Sequence, residues 1–222
     1  MENGLKASLM SLGAFLTACT ITITASPPTK VKESYSTPEA ASFKIICRDK
    51  HGNDRGAASG VIIGVERALT AAHVVDFCRA LRGTLFMGDI KLTTLKVGDQ
   101  RVDLALLAFR TGMVLQQGVA LAQENPKVGT PLIISAYPGF MDDLILTRGV
   151  VSGYYRADKE SPSYGSMFTD ALITFGDSGG GAFNEQGELV GIISALIRPE
   201  SAPHYVPGMI VPIEAINEFL RP

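Results

Sequence analysis

Three histidines, three cysteines and no excess of charge deprive this chain of 222 residues of the ingredients of several common functions. His51, His73 and His204 are scattered, and no Cys/His pair has the spacing of metal ligands, so no metal centre or other cofactor is expected. Lysine and arginine number 20 against 22 aspartates and glutamates, giving a formal net charge of −2 with no polybasic segment. A nucleic-acid partner, which needs a basic face to neutralise phosphates, is therefore not expected. Internal repeats are lacking. The apolar stretch Ala7 to Ala18 is only 12 residues long, short of the roughly 20 that a membrane-spanning helix needs. What is present is a hydrophobic content of 46%, enough for a core in one large domain or two small ones.

That short apolar stretch has the length of a signal-peptide core, and it ends L-T-A-C. The tetrapeptide resembles the bacterial lipobox, in which the cysteine is acylated and becomes the new N-terminus. Residues 1–18 are thus expected to be a lipoprotein-type leader, with Cys19 as the lipidation site and the bacterial cell envelope or periplasm as destination. The alternative is an ordinary signal peptide cut near Ala25. Thr20 to Ser42 is rich in Thr, Ser and Pro and has no sustained apolar face. It reads, with Cys19, as a flexible tether over 19–42, the folded domain beginning at Phe43.

From Phe43 onward short apolar runs dominate: Phe43–Cys47, Ser59–Ile63, Arg67–Thr70, Thr84–Met87, Leu104–Phe109, Leu132–Ala136, Leu144–Gly149, Ala171–Thr174, Leu189–Leu196 and Met209–Val211. Gly, Asn, Asp and Pro clusters bound them at fairly regular spacing, the pattern of an all-β sandwich or barrel. One helix is expected after His73 and another over Pro212–Leu220, where Ile213, Ile216, Phe219 and Leu220 fall at helical spacing. A polar segment around Leu121 to Val128, including Glu124, Asn125 and Pro126, divides the β-rich stretch into halves, about 43–123 and 124–211.

Residues 174–181 read T-F-G-D-S-G-G-G, a lone serine among four glycines. So many glycines imply that something approaches the backbone closely. No Lys follows, which excludes a phosphate loop. Ser178 is a candidate nucleophile, and a serine hydroxyl needs a base and an acid that orients the base. T-A-A-H-V-V supplies His73 and V-D-L-A-L-L supplies Asp103. Taken singly, each is an ordinary polar or capping residue.

Together, in the order His, Asp, Ser, these motifs resemble the chymotrypsin-like (trypsin-like) serine proteases. The compact spacing is similar to the HtrA/Deg branch, as are V-G-T-P-L-I-I-S-A-Y-P-G-F, L-T-R-G-V-V-S-G, T-D-A, G-E-L-V-G-I-I-S-A-L-I and V-P-I-E-A-I-N-E-F-L. The resemblance implies an all-β fold of two antiparallel six-stranded Greek-key barrels with a C-terminal helix. It implies a serine endopeptidase acting on polypeptides, with His73, Asp103 and Ser178 catalytic and the amides of Gly176 and Ser178 forming the oxyanion hole. A trimer is a common state of the branch. The sequence closes after the last helix, so a chain without the PDZ domain of many relatives is expected. Gly181 stands where many members have Pro, and Thr174–Phe175 where Asn-Pro is frequent. Asp177 is the residue that receives a newly cut N-terminus in the digestive enzymes. The alternative function is a catalytically silent chaperone or binding module on the same fold.

The resemblance also assigns a primary specificity pocket to Leu172, Ile173, Ser194, Ala195, Leu196 and Gly208. Leu172 stands where trypsin-like enzymes carry an aspartate, so small or medium aliphatic side chains are the expected substrates. Family members often have a bridge near the histidine, which makes a disulfide between Cys47 and Cys78 an expectation. Two free thiols are the alternative.

Overall fold

The computed structural model describes residues 36–49, 51–78, 80–85, 88–99, 102–110, 117–156, 159, 161, 165–196 and 206–222. The expected leader, Cys19 and most of the expected tether lie outside the described residues. Among the described residues, twelve strands form two closed antiparallel barrels, with the connectivity that the resemblance implied. In the first, β1 (Ser42–Arg48), β2 (Asp54–Gly64), β3 (Arg67–Thr70), β4 (Ala80–Leu85), β5 (Gly88–Val97) and β6 (Ala105–Phe109) are arranged in the order β1-β2-β3-β6-β5-β4. The second takes the order β10-β11-β12-β9-β8-β7, from β7 (Pro131–Ala136), β8 (Ile145–Tyr154), β9 (Met167–Thr169), β10 (Gly181–Phe183), β11 (Leu189–Leu196) and β12 (Gly208–Pro212). Closure leaves neither sheet with a free edge. Three short helices complete the fold: α1 (Pro38–Ala41), α2 (Ala72–Phe77) and α3 (Ile213–Phe219).

Alternation explains β1: Phe43, Ile45 and Cys47 point inward and are buried, while the residues between them are half-buried. In β11 the six residues Leu189 to Ser194 are all buried. One face of that strand lines the barrel and the other is covered, in part by α3, so alternation gives way to a continuous apolar run. α3 presents Ile213, Ile216 and Phe219 to the core. Between the barrels the chain is strapped to both, because Val119 donates to the Ile62 carbonyl at 3.0 Å and Ala122 to that of Leu189 at 3.0 Å.

Several elements differ from the sequence reading. Chain read as tether forms α1, whose N-cap Thr37 accepts from the Ala40 amide at 3.2 Å, with Pro38 at the first helical position. Burial of Pro38 and Ala41 holds this turn to the barrels. β5 and β10 are additional strands, and Ala171–Thr174 is irregular, with its neighbour β9 taking the ladder position instead. Cys47 and Cys78 are joined by a disulfide, Cα to Cα 4.8 Å, which ties β1 to the end of α2.

Candidate active site

The first half of the site hangs on the end of β3. After Thr70 the backbone stays extended at Ala71 and then turns into α2, placing His73 in its first turn. Ala71, Ala72 and Val74 are buried around it, so the ring is left at the surface in one orientation. Asp103 precedes β6, fixed by the buried Leu104, whose carbonyl accepts from Gly98 at 2.8 Å. The Asp103 carboxylate accepts from His73 twice: Oδ2 lies 2.8 Å from Nδ1 and Oδ1 3.0 Å from the backbone nitrogen. Ring and helix start are thus held by one carboxylate.

A third donor reaches Asp103 from the other barrel. Ser194 Oγ donates to Oδ2 at 2.5 Å. Ser194 sits where the β11–β12 register shifts between Ile193 and Ala195, a bulge that frees it from the ladder and re-aims its side chain. Burial pushes the Asp103 carboxyl up, but the bonds from the His73 ring, Ser194 and the His73 amide outweigh it and hold the group below its ordinary value. The bond to Asp103 raises His73 above its usual 6.5, with partial burial opposing. Each partner therefore favours the charged form of the other.

Ser178 lies in the tight turn between Asp177 and β10. Gly176 and Gly179 have φ of +98° and +86°, open to glycine without strain. A Cβ would strike the Gly139 backbone at the first and the Ser59 carbonyl and Thr70 hydroxyl at the second. Each carbonyl of this turn has a donor: Phe175 accepts from Gly139 at 2.7 Å, Gly176 from the Ser59 hydroxyl at 2.9 Å, Asp177 from Gly180 at 2.8 Å and Ser178 from the Ser59 amide at 2.9 Å. Among the described residues nothing accepts from the amides of Gly176 and Ser178. Two neighbouring donors without acceptors can bind a developing oxyanion. The Ser178 hydroxyl donates to the Ser194 carbonyl at 3.3 Å, and no hydrogen bond joins it to His73 in this state.

Asp177 is 4% exposed; Oδ2 accepts from the Thr174 amide at 2.7 Å, whereas Oδ1 is buried with no partner among the described residues. Burial pushes this carboxyl up to about 6. The expected pocket is assembled only in part. Ile173 is buried and its side chain occupies the space beside Gly208, and Leu196 pairs with Gly208 across the sheet. Leu172 is 74% exposed, its carbonyl held by Thr147 Oγ1 at 3.0 Å, so its side chain is directed to solvent and Ile173 fills the interior. Ser194 serves Asp103 with its hydroxyl, a role the sequence did not reveal; a lone Ser within an apolar strand was the only signal. Among the described residues no cluster could hold a metal ion, and no helix is long and apolar enough to cross a membrane.

Comparison with known proteins gives both a family and a fold likeness. Residues 58–192 match the trypsin-like peptidase domain family. A probable periplasmic serine endoprotease, DegP-like, of Buchnera aphidicola is 28% identical over 177 residues, 78% of this chain and 37% of its own length. The periplasmic serine endoprotease DegP of Escherichia coli is 32% identical over 146 residues, 64% of this chain and 30% of its own. The chain thus spans about a third of the length of these relatives. The crystal structure of the serine endoprotease from Yersinia pestis superposes with a TM-score of 0.67 at 22% identity, covering 81% of this chain and 61% of that one. A sequence match that runs from within β2 to the middle of β11, on a fold that superposes on that structure, leads to one conclusion: the chain belongs to the trypsin-like peptidase domain family.

Proposed function

We propose that this domain is a serine endopeptidase of the HtrA type, exported to the bacterial cell envelope on a leader that ends at Ala18, with Cys19 lipidated and a tether leading to the folded domain. The observation that carries the reading is the junction of a polarised His73–Asp103 pair with a turn that presents Ser178 beside two unoccupied amides. Ser178 Oγ attacks the peptide carbonyl and passes its proton to His73 Nε2. Asp103 keeps the Nδ1 proton in place and stabilises the imidazolium. The oxyanion settles between the amides of Gly176 and Ser178. His73 then protonates the leaving amine, and water repeats the sequence on the acyl-enzyme.

The substrate side chain meets Ile173, Ala195 and Leu196, an apolar wall with no charge. Burying an ionised side chain there would leave it unpaired, at a cost of several kcal/mol. An aliphatic chain gains about 0.8 kcal/mol per buried CH₂. Cleavage after Val, Ala, Ile or Leu is the consequence.

A silent binding module is the second reading, favoured by the Ser178 hydroxyl resting on the Ser194 carbonyl. Fluorophosphonate labelling separates the two. Stoichiometric labelling at Ser178, lost in Ser178→Ala and His73→Ala, is expected, with peptide turnover falling on the order of 10⁴-fold in each and little further in the double variant. Absence of labelling in the folded protein under all conditions would refute the enzyme, and additive losses would contradict the assignment of His73 and Ser178 as one catalytic unit.

A further inference from the structure

Ser59 belongs to β2 of the first barrel, yet its amide and hydroxyl bond to the Ser178 turn of the second. The residue is fully buried. Its amide donates to the Ser178 carbonyl at 2.9 Å and its hydroxyl to the Gly176 carbonyl at 2.9 Å. That hydroxyl accepts from the Tyr137 amide at 2.8 Å, and the Ser59 carbonyl accepts from Thr70 Oγ1 at 2.8 Å. The hydroxyl thus has one donor and one acceptor contact, both to backbone that borders the turn.

These bonds fall on particular peptide units. The Ser178 amide belongs to the unit between residues 177 and 178, and the units on either side of it, those carrying the Gly176 and Ser178 carbonyls, are both held by Ser59. The Gly176 amide belongs to the unit whose carbonyl, Phe175, is held by Gly139 at 2.7 Å. Gly139 lies two residues beyond Tyr137, which the same Ser59 hydroxyl holds. Rotation of the unit carrying the Phe175, Gly176 or Ser178 carbonyl requires breaking a bond to Ser59 or to the segment Ser59 anchors, and the unit between them is held at its own carbonyl, Asp177, which accepts from Gly180 at 2.8 Å. Thr70, the fourth contact, ends the strand that leads into the His73 helix.

We propose that Ser59 is a positioning residue for the oxyanion hole, setting the orientation of the Gly176 and Ser178 amides from the barrel that carries the base. The inference rests on the peptidase reading of the same site. Removing an oxyanion donor outright lowers kcat by about 10²–10³. Misaligning both amides through the loss of one hydroxyl should fall just short of that.

The test compares wild type, Ser59→Ala and Ser59→Thr with a chromogenic peptide, rates being normalised by active-site titration so that unfolded protein does not count. In Ser59→Ala kcat should drop about 10- to 100-fold with KM within about 3-fold. Affinity for a peptidyl trifluoromethyl ketone, whose hemiketal oxygen occupies the hole, should weaken by the same factor as kcat/KM. Ser59→Thr, which keeps the hydroxyl, should stay within about 5-fold of wild type. A purely structural Ser59 would lower the titratable fraction and leave kcat per site and ketone affinity unchanged, which would overturn the proposal. If Ser59→Ala does not fold, Ser59→Thr against Ser59→Cys carries the comparison, and equal kcat/KM in the two would overturn it. No turnover by wild type would sink the peptidase reading itself; turnover with an unaffected Ser59→Ala sinks only the role of Ser59.

Discussion

Asp177 offers a direct measurement of what the nucleophile turn costs the fold. Its carboxyl is raised from 3.8 to about 6 because burial disfavours the ion and Oδ1 has no partner to compensate. A carboxyl with a raised folded-state pKa binds its proton more tightly in the native state than in the unfolded one. Stability from this group is therefore complete below about 3.8 and is lost as pH rises through about 6. A rise of that size sets a ceiling of about 3 kcal/mol at neutral pH, since a tenfold change in proton affinity is worth about 1.4 kcal/mol. Asp177→Asn cannot titrate, while its amide oxygen can still accept from Thr174. Asp49, Asp103 and Asp142 are shifted downward and act in the opposite sense, losing stability as pH falls, but they are common to both proteins and cancel in the difference. Urea unfolding of wild type and Asp177→Asn at several pH values from about 4 to 7.5, spanning the titration, gives that difference. Wild type should lose about 2–3 kcal/mol relative to the variant across this range. Parallel curves, or a wild type that gains on the variant as pH rises, would show that the ionised Asp177 is compensated and that the reasoning is wrong.

Further outcomes follow from the other contacts. Because Asp103 raises His73 above 6.5 and only the neutral imidazole accepts a proton, kcat/KM should rise with pH through a midpoint above 6.5; a midpoint below about 6 would contradict the pairing. The Cys47–Cys78 bridge closes a separation of 31 residues, so the double Cys→Ala variant should unfold about 3–4 kcal/mol more easily by denaturant titration. A loss under about 1 kcal/mol, or two thiols titrating in the native protein, would contradict it.

The sequence was informative where chemistry demands unusual local composition. A turn with positive φ and backbone packed close at Gly176 and Gly179 needs glycine on either side of Ser178, and such a cluster is visible without a structure. His73 and Asp103 stood out only through their order relative to it. Ser59 did not, and Ser194 was assigned to the pocket without its bond to Asp103, because each is an isolated serine in an apolar strand whose partner lies 117 or 91 residues away, distances at which no periodicity speaks. β5, with Lys91, Thr93, Thr94 and Lys96 exposed, hides behind its polar outer face. β10 spans only Gly181–Phe183, too short for any alternation to register. Ala171–Thr174 has strand-like composition, but its backbone bonds go to Thr147 and Asp177 side chains rather than to a ladder. α1 was legible after all in Thr37–Pro38, a cap followed by a first-turn proline, and was outweighed by the polar sequence before it.

The bulge at Ser194 has a consequence for how this chain tolerates change in length. Gly191–Ile193 pair with Ile210–Pro212 in one register, and Ala195–Leu196 with Gly208–Met209 in a register offset by one, so Ser194 is the residue that the hairpin could omit. Deleting it would leave β11 and β12 as a regular ladder, closer to an ideal hairpin than the native one. The protein so shortened would lack both the hydroxyl on Asp103 and the carbonyl beneath Ser178. At this one position the most regular barrel and the assembled site are alternatives, and a search for greater stability alone would remove the residue that joins the two barrels' chemistry.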